Sequence, residues 1–153
     1  MAINTTFVSG NVLTAAQMNN LPWGIVSATN VTASSGSFTA ETLRVTSPSF
    51  TAVANRYYRI SYFEPSLQFA SGTVNNVGMI IRITSIAGTI QTFGEIKIQS
   101  LNNNAGYVSI VKTLSAGATV FVGTVIANGG GAANAVSSAT SVTQLVIEDL
   151  GST

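Results

Sequence analysis

The stretch Tyr107-Val-Ser-Ile-Val-Lys-Thr-Leu-Ser-Ala-Gly-Ala-Thr-Val-Phe-Val-Gly-Thr-Val-Ile-Ala-Asn128 decides the predicted fold. It contains two runs rich in β-branched residues, which favour strands, and the runs are separated by Ser115-Ala116-Gly117. Glycine adopts positive φ without a steric penalty, so a tight turn at Gly117 is allowed. The sequence therefore predicts a β-hairpin here.

The second strand of this stretch is apolar on both faces. Successive side chains point to opposite sides of a strand, which puts Val120, Val122 and Ile126 on one face and Phe121 and Val125 on the other. A sheet with one face in water carries polar residues at every second position. The pattern therefore predicts that the strand is covered twice, once by its own domain core and once by a partner.

The chain after Thr29 continues as a series of short strands without a ten-residue helical pattern. Following a first strand near 23–28, the predicted strands lie near residues 36–46, 48–54, 57–64, 67–71, 76–84, 88–99, 106–114, 118–127 and 141–149. The apolar phase changes after Glu64-Pro65, which predicts a bulge at the proline. Such a series predicts an all-β sandwich or barrel of antiparallel strands.

The N-terminal segment has a different pattern. Residues 1–11 carry alternating small and polar groups, which predict an extended arm. Thr14 and Gln17 have the spacing of a capping box, so a short helix is expected over residues 15–20, and Pro22 ends it. We therefore predict two parts, the arm and short helix in residues 1–24 and a β-domain in residues 25–153.

Composition limits the possible functions. The chain has 153 residues, a charged fraction of 7%, a formal net charge of +1, and neither His nor Cys. This charge pattern argues against nucleic acid as a partner, and no apolar run approaches a membrane helix or a secretory signal. The absence of cysteine fits folding in a reducing cytoplasm. A weakly charged, apolar exterior favours burial in an assembly.

Candidate catalytic and cofactor sites are few. Without His or Cys, the chain cannot build a Ser-His-Asp triad, a cysteine nucleophile or an ordinary zinc site. Glycosidases need only two facing carboxylates, and the carboxylates here are Glu41, Glu64, Glu95, Glu148 and Asp149. The triple glycine 129–131 lacks the Lys-Ser/Thr of a phosphate-binding loop. We expect no enzyme activity, no cofactor and no metal, while an enzyme acting on polysaccharide stays a weaker alternative.

Both ends of the chain resemble structural proteins of tailed bacteriophages. Phe7-Val-Ser-Gly10-Asn-Val-Leu-Thr-Ala-Ala-Gln-Met-Asn-Asn20 resembles their common opening module. Gln144-Leu-Val-Ile-Glu-Asp-Leu-Gly151 is similar to their closing strand. The resemblance implies a virion protein, made in the host cytoplasm and placed on the capsid exterior. Its docking residues would be Phe7, Leu13, Met18 and Trp23.

Two internal segments are similar to paired strands of trimeric jelly rolls of the tumour-necrosis-factor-like type. They are Asn55-Arg-Tyr-Tyr-Arg-Ile-Ser-Tyr62 and Leu114-Ser-Ala-Gly-Ala-Thr-Val-Phe-Val122. This resemblance implies that residues 25–153 form a jelly-roll trimerisation domain. The implied trimer interface would contain Tyr107, Phe121 and Val125.

The function expected from the sequence is therefore mechanical. The first hypothesis is a non-enzymatic virion protein, a homotrimeric capsid decoration (cement) protein or short head fibre whose residues 1–24 dock on the major capsid protein or another virion protein. The alternative is the receptor-binding tip of a tail fibre, which would recognise a host surface glycan with loops near 71–76 and 101–106. The shortness of the chain and the lack of shaft repeats count against that alternative.

Overall fold

A computed structural model describes residues 12, 14–69, 75–99 and 103–153. The predicted extended arm, residues 1–11, lies outside these ranges. Helix α1 spans Ala15–Asn19, and its capping box is present as predicted. The backbone N–H of Gln17 donates to Thr14 Oγ1 over 3.2 Å, and Gln17 Oε1 accepts from the Thr14 backbone N–H over 2.9 Å.

The rest of the described chain is almost entirely β-structure. Its strands are β1 (Gly24–Val31), β2 (Thr42–Thr46), β3 (Phe50–Ala52), β4 (Arg56–Phe69), β5 (Asn75–Ile83), β6 (Ile90–Ile98), β7 (Asn104–Thr113), β8 (Gly117–Thr119), β9 (Phe121–Asn128), β10 (Ala133–Ala135) and β11 (Thr143–Ser152). The predicted all-β antiparallel fold is confirmed.

Two sheets form a sandwich with jelly-roll strand order. Sheet A follows the order β1-β11-β4, and β4 pairs also with β7 and β10. Sheet B follows the order β2-β9-β5-β6, and β3 and β8 form a separate small ribbon. All of these pairings are antiparallel. The chain passes repeatedly between the sheets, so neighbours within a sheet are mostly distant in sequence.

The predicted hairpin around Gly117 is wrong. Strand β7 pairs with β4 in sheet A, whereas β9 pairs with β2 and β5 in sheet B. Gly117 does adopt positive φ, 131°, but it begins β8, and the segment between β7 and β9 carries the chain across the sandwich. Two apolar strands with a short connection fit a hairpin and a crossover equally well, so the local pattern did not separate them.

The predicted bulge near Pro65 is confirmed. The register of β4 against β7 shifts between Glu64 and Leu67, so that both residues point into the sandwich although their positions differ in parity. The two strands expected on either side of Pro65 are one continuous strand, β4, because the bulge absorbs the change of phase without ending the pairing.

Phe121 and Val125, predicted to contact sister copies, are completely buried in the core of a single chain. Their side of β9 packs on sheet A, where Gly123 leaves room for the Tyr62 ring. On the other side of β9, Thr124 is also buried, and its hydroxyl donates to Glu41, 2.5 Å away. The second cover of this strand therefore comes from the chain itself, and these two residues are removed from the candidate trimer interface.

Candidate functional site

Each arginine of the chain forms an ion pair with a carboxylate, and all charged side chains lie in the described ranges. The pairs are Arg44–Glu64 (3.0 Å), Arg56–Asp149 (2.6 Å), Arg59–Glu148 (2.6 Å) and Arg82–Glu41 (2.7 Å). Hydrogen bonds from Arg82 and Arg59 lower the pKa values of Glu41 and Glu148 respectively. These carboxylates are therefore held ionised and occupied by their partners.

The described residues contain no group of three His, Cys, Asp or Glu side chains placed to share a metal ion. They also contain no helix of the length and apolarity needed to cross a membrane.

The N-terminal segment is fastened to the sandwich by a buried arginine. Arg56, on β4, donates two hydrogen bonds to the Asp149 carboxylate, of 2.6 and 2.7 Å. Two further donors reach the backbone carbonyls of Asn19 and Leu21, the latter at 2.6 Å. The guanidinium also lies 4.2 Å from the centre of the Trp23 ring, which adds a cation–π contact. One side chain thus binds the end of α1, the following turn and β11 together.

The last residues of β11 complete this junction. The Ser152 backbone N–H donates to the Asn20 carbonyl over 3.3 Å. Gly151 has φ of 102°, and a Cβ there would lie 3.1 Å from the same carbonyl oxygen. Its N–H donates to Asp149 over 2.8 Å. We call the assembly of residues 19–23, Arg56 and 149–152 the Arg56 junction.

The Arg56 junction joins the two sequence motifs on which the virion resemblance depends. Asn19 and Asn20, the last residues of the first motif, belong to it, and the Glu-Asp-Leu-Gly ending supplies Asp149 and Gly151. The role of Arg56 was not predicted from the sequence. No local spacing signals it, since Arg56 and Asp149 are distant in the chain and meet only because β4 pairs with β11.

The predicted docking residues fall partly inside the described chain. Phe7 and Leu13 lie outside the described residues. Met18 is 56% exposed and Trp23 is 55% exposed. Residues 1–40 contain no Asp, Glu, Lys or Arg. The side chains of this segment therefore carry no charge, and the two buried charges of the Arg56 junction neutralise each other.

The outward face of sheet A is the second candidate surface. We call it face A, and its main side chains are Ile25, Tyr57, Arg59, Tyr107, Val111 and Glu148. Tyr107, the remaining predicted interface residue, is 60% exposed, and Val111 is 51% exposed. The polar groups of this face are satisfied internally, because Arg59 pairs with Glu148 and the Tyr107 hydroxyl donates to Ser61 Oγ over 3.0 Å. Face A thus exposes apolar area without a free charge.

No protein-family model matches the chain, and no curated protein sequence matches it. Three solved structures are similar to it at low TM-scores. The CBM22-1 xylan-binding domain of Paenibacillus barcinonensis Xyn10C is 9% identical, with a TM-score of 0.36, over 82% of this chain and 87% of that one. The arabinose-bound α-L-arabinofuranosidase MgGH51 is 12% identical, with a TM-score of 0.37, over 89% of this chain.

The third structure is the enzymatically active domain of tailspike protein 4 from bacteriophage CBA120. It is 12% identical, with a TM-score of 0.33, over 88% of this chain. The chain spans 24% of the arabinofuranosidase and 20% of the tailspike domain. At these identities and TM-scores, similarity to the three structures supports no conclusion about the function of this chain.

Proposed function

We propose that the chain is a non-enzymatic structural protein of a tailed-bacteriophage virion, a homotrimeric capsid decoration protein or short head fibre. The Arg56 junction is the observation that carries the proposal. It fixes an uncharged segment, with Met18 and Trp23 exposed, to a sandwich that offers a second apolar surface. In this role, residues 1–24 dock on a virion protein and the sandwich associates with its own copies.

Face A is the surface that we assign to association with second and third copies. Its one ion pair is already closed within the chain, so an identical copy can cover it without leaving a charge unpaired. Its exposed Tyr and Val side chains supply the apolar area that subunit interfaces use. Closed symmetry then leaves no copy of this surface in water.

Trimerisation would multiply the affinity of docking. Three docking segments on one particle bind neighbouring capsid sites with a high effective concentration, so that a modest contact at each segment suffices. The fixed geometry of the Arg56 junction helps, because a segment held in one direction loses less entropy on binding.

Replacing Val111 by glutamate is expected to dissociate the trimer. A charge placed at each copy of face A would have to be buried next to its equivalents, at a cost of about 3 kcal/mol, on the order of a hundredfold in the association constant. Analytical ultracentrifugation at micromolar concentration measures this. Ile86→Glu is the control, since Ile86 is 39% exposed in the turn between β5 and β6, away from face A, and should leave the trimer intact. A monomeric wild-type protein would contradict the proposed assembly.

Deleting residues 1–18 is expected to abolish binding to heads while leaving the trimer unchanged. This deletion keeps residues 19–23, whose carbonyls satisfy Arg56, so the sandwich should remain folded. The measurement is co-sedimentation with purified heads of the encoding phage, with the Ile86→Glu variant as the binding-competent control. If heads still take up the truncated trimer, the docking role of this segment is wrong.

A further inference from the structure

The outward face of sheet B differs chemically from face A. We call it face B. Its strands pair in the order β2-β9-β5-β6, and its main side chains are Leu43 on β2, Asn128 on β9, Asn76 on β5, and Phe93, Glu95 and Lys97 on β6. Lys97 and Glu95 take part in none of the ion pairs found among the described residues. The charges of Glu95 and Lys97 are therefore not consumed by pairing with an opposite charge.

Phe93 lies over the centre of this face. A Cβ built at Gly78 would lie 2.7 Å from Phe93 Cε2 and 2.8 Å from Ile126 Cγ2, so the ring and the isoleucine occupy the space above the glycine. Phe93 is nevertheless 49% exposed. The Phe93 ring thus packs against Gly78, where a larger residue would clash with it, and about half of the Phe93 surface remains exposed to solvent.

Planar polar groups border the ring. The Asn128 amide donates to Glu95 Oε1 over 2.7 Å, and the Asn76 amide approaches Glu95 Oε2 at 3.4 Å. These contacts orient the amides and the carboxylate side by side. Neither amide oxygen accepts a hydrogen bond from a described residue, so both remain as acceptors for a ligand. Lys97 lies next to Asn76 across the strand pair and adds donors.

We propose that this part of face B, from Phe93 to Asn128, binds a neutral carbohydrate. Sugar rings combine an apolar C–H face, which packs on an aromatic ring, with neighbouring hydroxyls that both donate and accept hydrogen bonds. Phe93 offers the ring, while Glu95, Asn76 and Asn128 offer paired acceptors and donors beside it. The proposal is separate from the assembly role, because it uses the sheet opposite to face A.

The opposite charges of Glu95 and Lys97 favour a neutral ligand. Glu95 and Lys97 carry opposite charges two residues apart on β6, so the site has no net charge to attract a polyanion. An apolar protein partner would leave the Glu95 carboxylate and two amides covered without new hydrogen bonds, which is unfavourable. A carbohydrate can pack its apolar C–H face on the Phe93 ring and form hydrogen bonds to these polar atoms with its hydroxyl groups.

The test is binding of the full-length protein to an array of neutral and acidic oligosaccharides from bacterial surface polysaccharides, followed by titration calorimetry with the best neutral binder. Phe93→Ala is expected to weaken binding about tenfold or more, since it removes the aromatic contact. Leu43→Ala is the matched control, because Leu43 is 47% exposed on the same face but on β2, and it should leave affinity unchanged.

A second variant separates carbohydrate from a nonspecific apolar contact. Asn128→Ala retains Phe93 and removes one amide, so it should weaken carbohydrate binding several-fold while leaving the thermal stability nearly unchanged. The proposal is overturned if no oligosaccharide binds at millimolar concentration, if only acidic oligosaccharides bind, or if binding survives Phe93→Ala. It is also overturned if Phe93→Ala dissociates an oligomer of the wild-type protein, because face B would then be an interface between copies.

Discussion

Replacing Arg56 by methionine is expected to lower the free energy of unfolding by about 3–5 kcal/mol, because it leaves the Asp149 carboxylate buried without its partner. Both side chains of this pair are almost completely shielded from solvent. The carbonyls of Asn19 and Leu21 lose their donors as well. Urea unfolding measures the stability, and fluorescence of Trp23, the only tryptophan, reports whether residues 19–23 leave the sandwich.

Arg59→Met is the matched control for this variant. Arg59 lies on the same strand and also pairs with a carboxylate of β11, but its side chain is 43% exposed. An exposed pair contributes about 0–1 kcal/mol, so this replacement should change the unfolding free energy little. It should also leave the Trp23 emission unchanged. Equal losses in the two variants would contradict the role given to the Arg56 junction.

The same junction predicts a dependence of stability on pH. Burial raises the pKa of Asp149, but hydrogen bonds from Arg56 and from the Gly151 backbone outweigh it, and the net effect holds this pKa below its usual value. The group therefore contributes stability that is fully present above the pKa of an unfolded aspartate, about 3.9, and is lost as pH falls through the folded pKa. In acid, the difference in stability between wild-type protein and Arg56→Met should shrink.

Replacing Arg44 by methionine is expected to be similarly damaging, by about 3–5 kcal/mol, for a reason inside the core. Arg44 donates to Glu64 over 3.0 Å, and Glu64 has no exposed surface. The carboxylate also accepts from the hydroxyls of Tyr62 and Thr143, each at 2.6 Å. Removing the arginine leaves a charge in the sandwich that only neutral donors compensate.

A double variant tests this explanation. Arg44→Met combined with Glu64→Gln removes both charges, so it should be more stable than Arg44→Met alone, although Tyr62 and Thr143 still need partners. Chemical denaturation of the wild type, the two single variants and the double variant gives the coupling free energy. Additive losses would show that Arg44 and Glu64 act independently, contrary to the expectation.

Sequence reasoning found the elements whose causes are local. The capping box of α1 depends on Thr14 and Gln17 three residues apart, and the bulge at Pro65 depends on one proline and a change of phase, so both were predictable. The all-β class followed from the repeated short apolar runs. None of these predictions needed knowledge of which strands pair.

Predictions that depended on long-range pairing failed. The apolar pattern of Phe121 and Val125 suggested a partner chain, but sheet A and an ion pair over β9 provide the cover, and neither was visible from the strand itself. Phe93 was overlooked for the same reason. The Phe93 ring packs against Gly78 on the neighbouring strand β5, and one of the polar side chains beside it, Asn128, lies on β9.

The position of β11 has a consequence for biosynthesis. This strand lies between β1 and β4, yet it follows every other strand along the chain, and Gly24 pairs with Asp149 across almost the whole sequence. Sheet A cannot be completed until the ribosome has released residues 143–152, although β4 can already pair with β7. Pairings between such distant residues are slow to form. Until they form, the edges of β1 and β4 that later pair with β11 are exposed, and the nascent chain is most prone to aggregation.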